Sequence, residues 1–481
     1  MIESALLEKK EYPLWIGGKP VKTPTTRTIQ LPYDGTPVAE VYETDETAFA
    51  QAVSVAVKGA SAMAALTLWE RAELLERIRG LVAQHADEFA RLIASETGKP
   101  LREARVEVTR SQQTLLASAD AARSLHGEVI PMEAAPTGQG RWAITVREPL
   151  GVVGAITPFN FPLNLALHKV GPALAAGNSV IHKPSENTPL SALRLAPLIQ
   201  EAGAPAGAYN VVTGPGETTG DWLVSDERVN MITFTGSVPV GEQIRAKAGL
   251  RRVSLEMGNN SSLIVEPDAD LETLIPRCVT GSFSHSGQVC ISVQNIYVQE
   301  QIVGEFTDRF VEATRKLKIG HPLEESTEIS SLISTSAAER VESWITEATD
   351  AGGRILTGGT RRGATIEPTI LTNVPTSVRI SCQEVFGPVV LVQPYRALDD
   401  AIARVNSGEY GLQAGVCTRD LSRAFRAAQA LRFGGVIVND VPAYRVDHMP
   451  YGGVKKSGIG REGPRYAIEE MTEMKLICWR V

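Results

Sequence analysis

Apolar residues recur at helical spacing in "WERAELLERIRGLVAQHADEFARLIASE", residues 69–96. Leu74, Ile78, Val82, Phe89 and Ile93 share one face, so the spacing predicts a single helix, ended by Gly98 and Pro100. From about residue 150 the rhythm changes. "GVVGAIT" is a short apolar run, "LNLALHKVGPALAAG" is helical, "NSVIHK" strand-like and "PLSALRLAPLIQEAG" helix-like. "AYNVV", a Gly-rich turn, "ETTGDWLVS" and "VNMITF" follow; after a "TGS" turn come another helical stretch and "RRVSLEM". Short strands alternating with longer helices predict a parallel sheet with crossover helices.

In such sheets ligands sit beyond the carboxyl ends of the strands. At those ends lie "TPFNFP" with Asn160, "KPSE" with Lys183 and Glu186, "TGPGETTG", "FTGSVPVG" with Gly236 and Gly241, and "LEMGNN" with Glu256. Polar and Gly-rich residues therefore gather on one edge, the expected dinucleotide crevice. "GSVPVG" is not GxGxxG and is weak alone; its position before a helix, whose first N–H groups can meet a pyrophosphate, gives it meaning.

Composition narrows the partners. The chain has 481 residues, enough for two or three domains, with no internal repeat or low-complexity linker. Hydrophobic residues make up 43% and charged residues 21%, and the net charge of −7 argues against a nucleic-acid partner. The longest uncharged stretch, 149–167, is interrupted by Pro158, Asn160, Pro162 and Asn164, so no membrane span is expected. The opening "MIESALLEKKEYPLW" lacks the regions of a signal peptide. Five scattered cysteines, at 278, 290, 382, 417 and 478, read as reduced thiols of a cytoplasmic protein, with no clustered set for a metal.

Each chemical residue has a bland reading. Cys290 alone is a small buried hydrophobe, Glu256 an exposed strand end, Lys183 and Glu186 solvated charges, and Asn160 a turn residue. In combination they say more. "PFNFP", "KPSE", "FTGS", "LEMGN", "GQVC", "QEVFGPV" and "PYGGVKKSGIGREG", in this order across residues 158–463, resemble the aldehyde dehydrogenase superfamily. "HKVGPALAAGNS" and "RVDHMPYGGVK" look most like its lactaldehyde, glyceraldehyde-phosphate and phosphonoacetaldehyde branch.

The resemblance implies a fold, a mechanism and a set of site residues. The fold is α/β: a Rossmann-like cofactor domain from 1–124 and 149–257, a second α/β catalytic domain from 258–447, and an antiparallel oligomerisation segment from 125–148 and 466–481. The tail "EEMTEMKLICWRV" reads as a strand whose edge would be exposed in a monomer, so a homodimer or homotetramer is expected. Cys290 is implied as nucleophile, Asn160 with the Cys290 N–H as oxyanion donors, and Glu256 as general base; Lys169 and Glu462 match proton-relay positions. Gly287 would leave room for the nicotinamide. Thr157, Pro158 and Phe159 would line the cofactor path, with Lys183, Ser185 and Glu186 at the adenosine ribose and Gly216 at the adenine. Phe234, Gly236, Ser237 and Val240 would serve the pyrophosphate; Glu384, Phe386, Met257 and Gly258 would serve the nicotinamide riboside. NAD is expected over NADP, because Glu186 would repel a 2′-phosphate. Three departures from the family pattern stand at Met257-Gly258-Asn259, His285 and Asn295.

At the aldehyde entrance the matching positions hold Arg110, His168, Arg445 and His448, which suits a small anionic aldehyde: a phosphonate, phosphate, sulfonate or carboxylate. If Arg445 paired with Asp447 and Arg110 with Glu107, a neutral hydroxyaldehyde such as lactaldehyde would fit instead. A CoA-acylating dehydrogenase would be expected to lack the base at Glu256, and a non-catalytic homologue to have lost the catalytic set.

Overall fold

The computed structural model describes residues 10–481. Residues 1–9, where the first expected segment begins and where a signal peptide was read as lacking, lie outside the described residues.

Two large sheets dominate. The first carries five parallel strands in the order Arg252–Glu256, Met231–Thr235, Val152–Ile156, Ser179–Lys183 and Tyr209–Val211. Gly458–Ile459 closes one edge antiparallel, and Leu14–Ile16 with Lys19–Val21 closes the other. Alternation along each strand divides its side chains between two cores. Val153 and Val180 join one cluster, while Val152 and Ile181 join the other. Both faces are thus covered, as a parallel sheet requires.

The second sheet has six parallel strands, Thr369–Thr372, Val389–Tyr395, Val293–Gln299, Ser261–Val265, Gln413–Cys417 and Gly435–Val438, with Arg354–Thr357 antiparallel at one edge. A separate antiparallel sheet pairs the tail strand Thr472–Arg480 with Arg141–Pro149, and that with Val129–Ile130. Among the described residues no single helix is long and apolar enough to cross a membrane.

One predicted helix is two. Leu68–Gln84 and Ala86–Thr97 are separated at His85, whose φ of −102° and ψ of 22° leave the helical region. Asp87 and Glu88 restart the second helix, where acidic residues meet the positive end of a helix dipole. Gly98, at φ 73°, supplies the left-handed stop. Lys99 and Pro100 then lead into the long helix Leu101–Arg123, one wall of the site described next.

Candidate active site

The carboxyl ends of the first sheet meet the amino ends of the second. Thr157 to Asn160 follow strand Val152–Ile156, Lys183 ends Ser179–Lys183, Gly236 follows Met231–Thr235, and Glu256 ends Arg252–Glu256. From the other side come Cys290, just before Val293–Gln299, and Glu384 and Phe386, just before Val389–Tyr395. The crevice rule therefore covers the first sheet; the second contributes its opposite end.

Cys290 is held by a left-handed turn. His285, Ser286 and Gly287 have φ of 48°, 54° and 73°, reversing the chain between helix Leu271–Phe283 and the strand. The His285 N–H donates to Glu103 Oε2 at 2.6 Å, and the Ser286 hydroxyl to the Ser330 carbonyl at 2.8 Å. These bonds hold non-glycine residues in a conformation they rarely adopt. A Cβ on Gly287 would lie 2.1 Å from the Gly387 carbonyl oxygen. Backbone therefore fills the Cβ side of Gly287, where no larger residue would fit.

The buried groups around the sulfur form a chain. Cys290 Sγ lies 2.8 Å from the Tyr451 hydroxyl. Burial pushes the thiol up to about 12. Arg445 stacks over the Tyr451 ring at 3.6 Å from its centroid and donates to Glu462 Oε2 at 2.9 Å. Lys169 donates to Glu462 Oε1 at 3.0 Å. Burial opposes the Glu462 charge, but Lys169 and Arg445 hold that carboxyl well below its usual range. Glu256 is the opposite case: both of its oxygens are buried without a hydrogen-bond partner among the described residues, and burial, with the Glu462 charge, raises it well above the carboxylate range. The Asn160 amide donates to the Gln288 carbonyl at 2.8 Å, beside the Cys290 loop. An amide nitrogen has two hydrogens, so one donor direction remains.

A cavity of about 450 Å³ opens onto Cys290. Arg110, Arg445 and Tyr451 line it. The other two expected substrate residues stand outside that lining. His168 is 1% exposed and bonds Asp447 at 2.9 Å, behind Arg445, while His448 faces solvent. The ion pairs also differ from expectation. Arg110 forks onto Asp447, at 3.1 and 2.8 Å, and Arg445 pairs with Glu462. Glu107 is unavailable to Arg110 because it pairs with buried Lys99 and accepts the N–H groups of Leu163 and Asn164. Sequence reading misses Lys99, Arg102 and Arg277, which also line the cavity. Arg102 is legible: Arg102, Val106 and Arg110 recur every four residues along one face of the helix Leu101–Arg123.

The expected cofactor residues lie at or after the carboxyl ends of the first sheet's strands, with Glu384 and Phe386 just before a strand of the second. Phe159 and Phe386 meet edge to face at 5.7 Å. Glu384 accepts the Asn259 N–H at 3.0 Å, and burial raises it to about 7. A Cβ on Gly258 would stand 2.4 Å from Glu384 Oε2, and one on Gly236 would meet the Phe234 ring at 2.4 Å. Both glycines therefore leave room for those neighbouring side chains. The Met257 N–H donates to the Ser457 carbonyl, and the Gly258 carbonyl accepts the Ser457 hydroxyl at 2.7 Å, so these two groups already have partners inside the protein. Ser237 precedes helix Val238–Ala248 without a side-chain cap, and Val240 is exposed on its first turn. Gly216 opens the single turn Gly216–Gly220. Thr157 is buried and bonds His182 at 2.8 Å, and Pro158 is half-buried. Lys183 donates to the Pro184 carbonyl, and burial lowers it to about 8. The Ser185 hydroxyl accepts the Asn187 N–H at 3.4 Å. Glu186 lies 3.4 Å from Arg27, a cation far away in the chain that no local pattern points to. Of the departures, Asn259 donates to Ser261 Oγ at 2.6 Å and Asn295 is buried against Asn260, so both serve local packing.

This arrangement has relatives. The aldehyde dehydrogenase family profile matches residues 21–477. The chain is 50% identical over 476 residues to a 3-sulfolactaldehyde dehydrogenase of Priestia aryabhattai, covering 98% of this chain and 99% of that one. Aldehyde dehydrogenase 21 of Physcomitrella patens, solved with its reaction product succinate, superposes with a TM-score of 0.96 at 40% identity, covering 98% and 99% of the two chains. A glyceraldehyde-3-phosphate dehydrogenase of Methanocaldococcus jannaschii, complexed with NADP, gives a TM-score of 0.92 at 40% identity, covering 95% and 100%. With the fold matched along nearly its whole length, the chain belongs to the aldehyde dehydrogenase family and is an NAD(P)-dependent enzyme.

Proposed function

We propose that the enzyme oxidises a small aldehyde bearing an anionic group to the corresponding acid, with Cys290 as nucleophile. The sulfur adds to the aldehyde carbon, and the charge gathers on the former carbonyl oxygen. The free donor direction of Asn160 and the Cys290 N–H would hold that oxygen. NAD(P), when bound, supplies the hydride acceptor. The acyl group then rests on Cys290 as a thioester, and Glu256 takes a proton from the water that hydrolyses it. The raised proton affinity of Glu256 makes it a stronger acceptor for the water proton than an ordinary carboxylate. The Lys169–Glu462 pair would carry the proton outward. Because Glu256 is present, water and not CoA resolves the thioester in this reading.

The observation that carries the substrate class is Arg445 Nε. It is buried, has no hydrogen-bond partner among the described residues, and belongs to a side chain on the wall of the Cys290 cavity. A buried donor without an acceptor is costly, and an anionic substrate group would supply the acceptor. Lys99, Arg102, Arg110 and Arg277 add positive charge to the same walls, against Glu103 and Glu107. The relative named for 3-sulfolactaldehyde points to a sulfonate, and the one solved with succinate to a carboxylate. The reading is tested by comparing kcat/KM for 3-sulfolactaldehyde, succinic semialdehyde and phosphonoacetaldehyde with propanal and lactaldehyde, in wild type and Arg110→Ala. Anionic aldehydes should lead by tenfold or more and lose that lead in the variant. A preference for the neutral aldehydes would make lactaldehyde the better reading.

For the coenzyme, we place the ribose of the adenosine at Lys183, Ser185 and Glu186, the pyrophosphate at Gly236, Ser237 and Val240, and the nicotinamide riboside at Glu384 and Phe386. Glu186 favours NAD, while Arg27 beside it tempers the repulsion of a 2′-phosphate. The preference for NAD is therefore expected to be modest. The first sheet would form the coenzyme domain, the second the catalytic domain, and the three-stranded sheet the assembly surface of a homodimer or homotetramer. The exposed apolar residues Met474, Leu476 and Trp479 on its tail strand support that assembly. Five unpaired cysteines favour a cytoplasmic setting.

A further inference from the structure

Tyr451 has no part in the scheme above, yet its hydroxyl touches the reacting sulfur. The ring is 3% exposed and packs with Ile291 and Leu412, surroundings that a phenylalanine would fill equally well. A hydroxyl in such a place is unfavourable unless it is hydrogen-bonded, and its partner here is Cys290 Sγ at 2.8 Å. A thiol sulfur is a weak acceptor, whereas a thiolate is a charged one. The bond therefore strengthens when Cys290 loses its proton. Arg445, stacked on the ring at 3.6 Å, draws electron density from the phenol and makes its O–H a better donor.

We propose that Tyr451 is a catalytic residue whose hydroxyl donates to the Cys290 sulfur and stabilises the attacking thiolate. The proposal rests on Cys290 being the nucleophile. Through Arg445 it also links the wall of the substrate cavity to the sulfur. The titratable and charged groups acting on that sulfur are Tyr451, Arg445, Glu384 and Glu256. Burial and the neighbouring Cys290 raise the phenol well above its ordinary range.

The test is Tyr451→Phe, which removes one oxygen and keeps the ring. Iodoacetamide alkylation of Cys290 is followed against pH by mass spectrometry of its peptide, which separates it from exposed Cys382 and Cys478. In that reaction the S–C bond forms as C–I breaks, iodide leaves, and the thiol proton passes to the buffer. The rate–pH profile of the variant should move up by about one unit, equivalent to about 1.4 kcal/mol, and alkylation at pH 8 should slow about tenfold. The pH profile of kcat/KM should move in the same direction, with the melting temperature close to wild type. A variant alkylation profile that coincides with wild type, or moves downward, overturns the proposal even if turnover falls. Failure of the nucleophile assignment itself would show separately, as retained turnover in Cys290→Ala.

Discussion

The inner end of the cavity and its mouth use the same kinds of charged residue in different ways. At the inner end Arg445, Glu462 and Lys169 pair with 6%, 4% and 1% of their side chains exposed. At the mouth Arg102 pairs with Glu328 and Arg277 with Asp440, with 49% and 47% of the two arginine side chains in water. An exposed pair is worth little and exchanges readily, so a mouth arginine can leave its partner for a substrate anion. A buried pair cannot lose one member cheaply, because the other is left charged without water. On the proposed reading, the difference would separate guidance of the substrate at the mouth from fixed proton affinities inside. Lys169 and Arg445 bond Glu462 directly and hold it low, while Glu256, which has no hydrogen-bond partner among the described residues, is raised by burial and by the Glu462 charge.

The largest effect expected on breaking the inner end comes from the sulfur itself. Cys290→Ala should lower aldehyde oxidation by about 10⁴-fold or more while coenzyme binding, read by fluorescence titration, persists. Next is Arg445→Ala, which leaves Glu462 with Lys169 as its remaining cation and Glu462 Oε2 without its partner. A stability loss of about 3–5 kcal/mol in denaturant unfolding is expected, together with a loss of the anionic-substrate preference. A smaller effect is set by pH. Since Glu256 is raised, the base is protonated below its shifted pKa, and turnover should rise with pH along a limb lying well above the ordinary carboxylate range. A limb centred near pH 4.5 would contradict the burial argument. The smallest effect belongs to the mouth. Arg102→Ala should raise KM for an anionic aldehyde a few-fold, change stability by less than about 0.5 kcal/mol, and lose its effect at high salt.

Much of this layout is legible in the chain, and the gaps have physical causes. The strands from "GVVGAIT" to "RRVSLEM" are readable because both faces of a parallel sheet are buried, so each strand is a compact apolar run. Asn160, Glu256 and Lys183 stand out because polar residues at strand ends contrast with those runs. The break at His85 is not readable, since Val82 and Phe89 keep helical spacing across it. Nor is the pairing of Arg110. Glu107 is its neighbour along the helix, but Asp447, distant in sequence, takes it, because Glu107 already faces Lys99 and two helix N–H groups. His168 and His448 mislead for a related reason: sequence places them near the entrance, and only packing decides that one is buried behind Arg445 and the other turned outward. Tyr451 carries no signal of its own, because the difference between a packing ring and a hydrogen-bonding one is a single oxygen whose partner lies far away in the chain.

In the proposed reaction Cys290 carries an acyl group that Glu256 helps water to remove. The most direct measurement is rapid quench of Glu256→Gln with coenzyme and an anionic aldehyde, reading reduced coenzyme by absorbance and the Cys290 peptide by mass. One hydride equivalent per active site, a Cys290 peptide heavier by the acyl group, and steady turnover slowed about 10²–10⁴-fold are predicted. Steady turnover at the wild-type rate, or a burst with no acyl mass on Cys290, would contradict it.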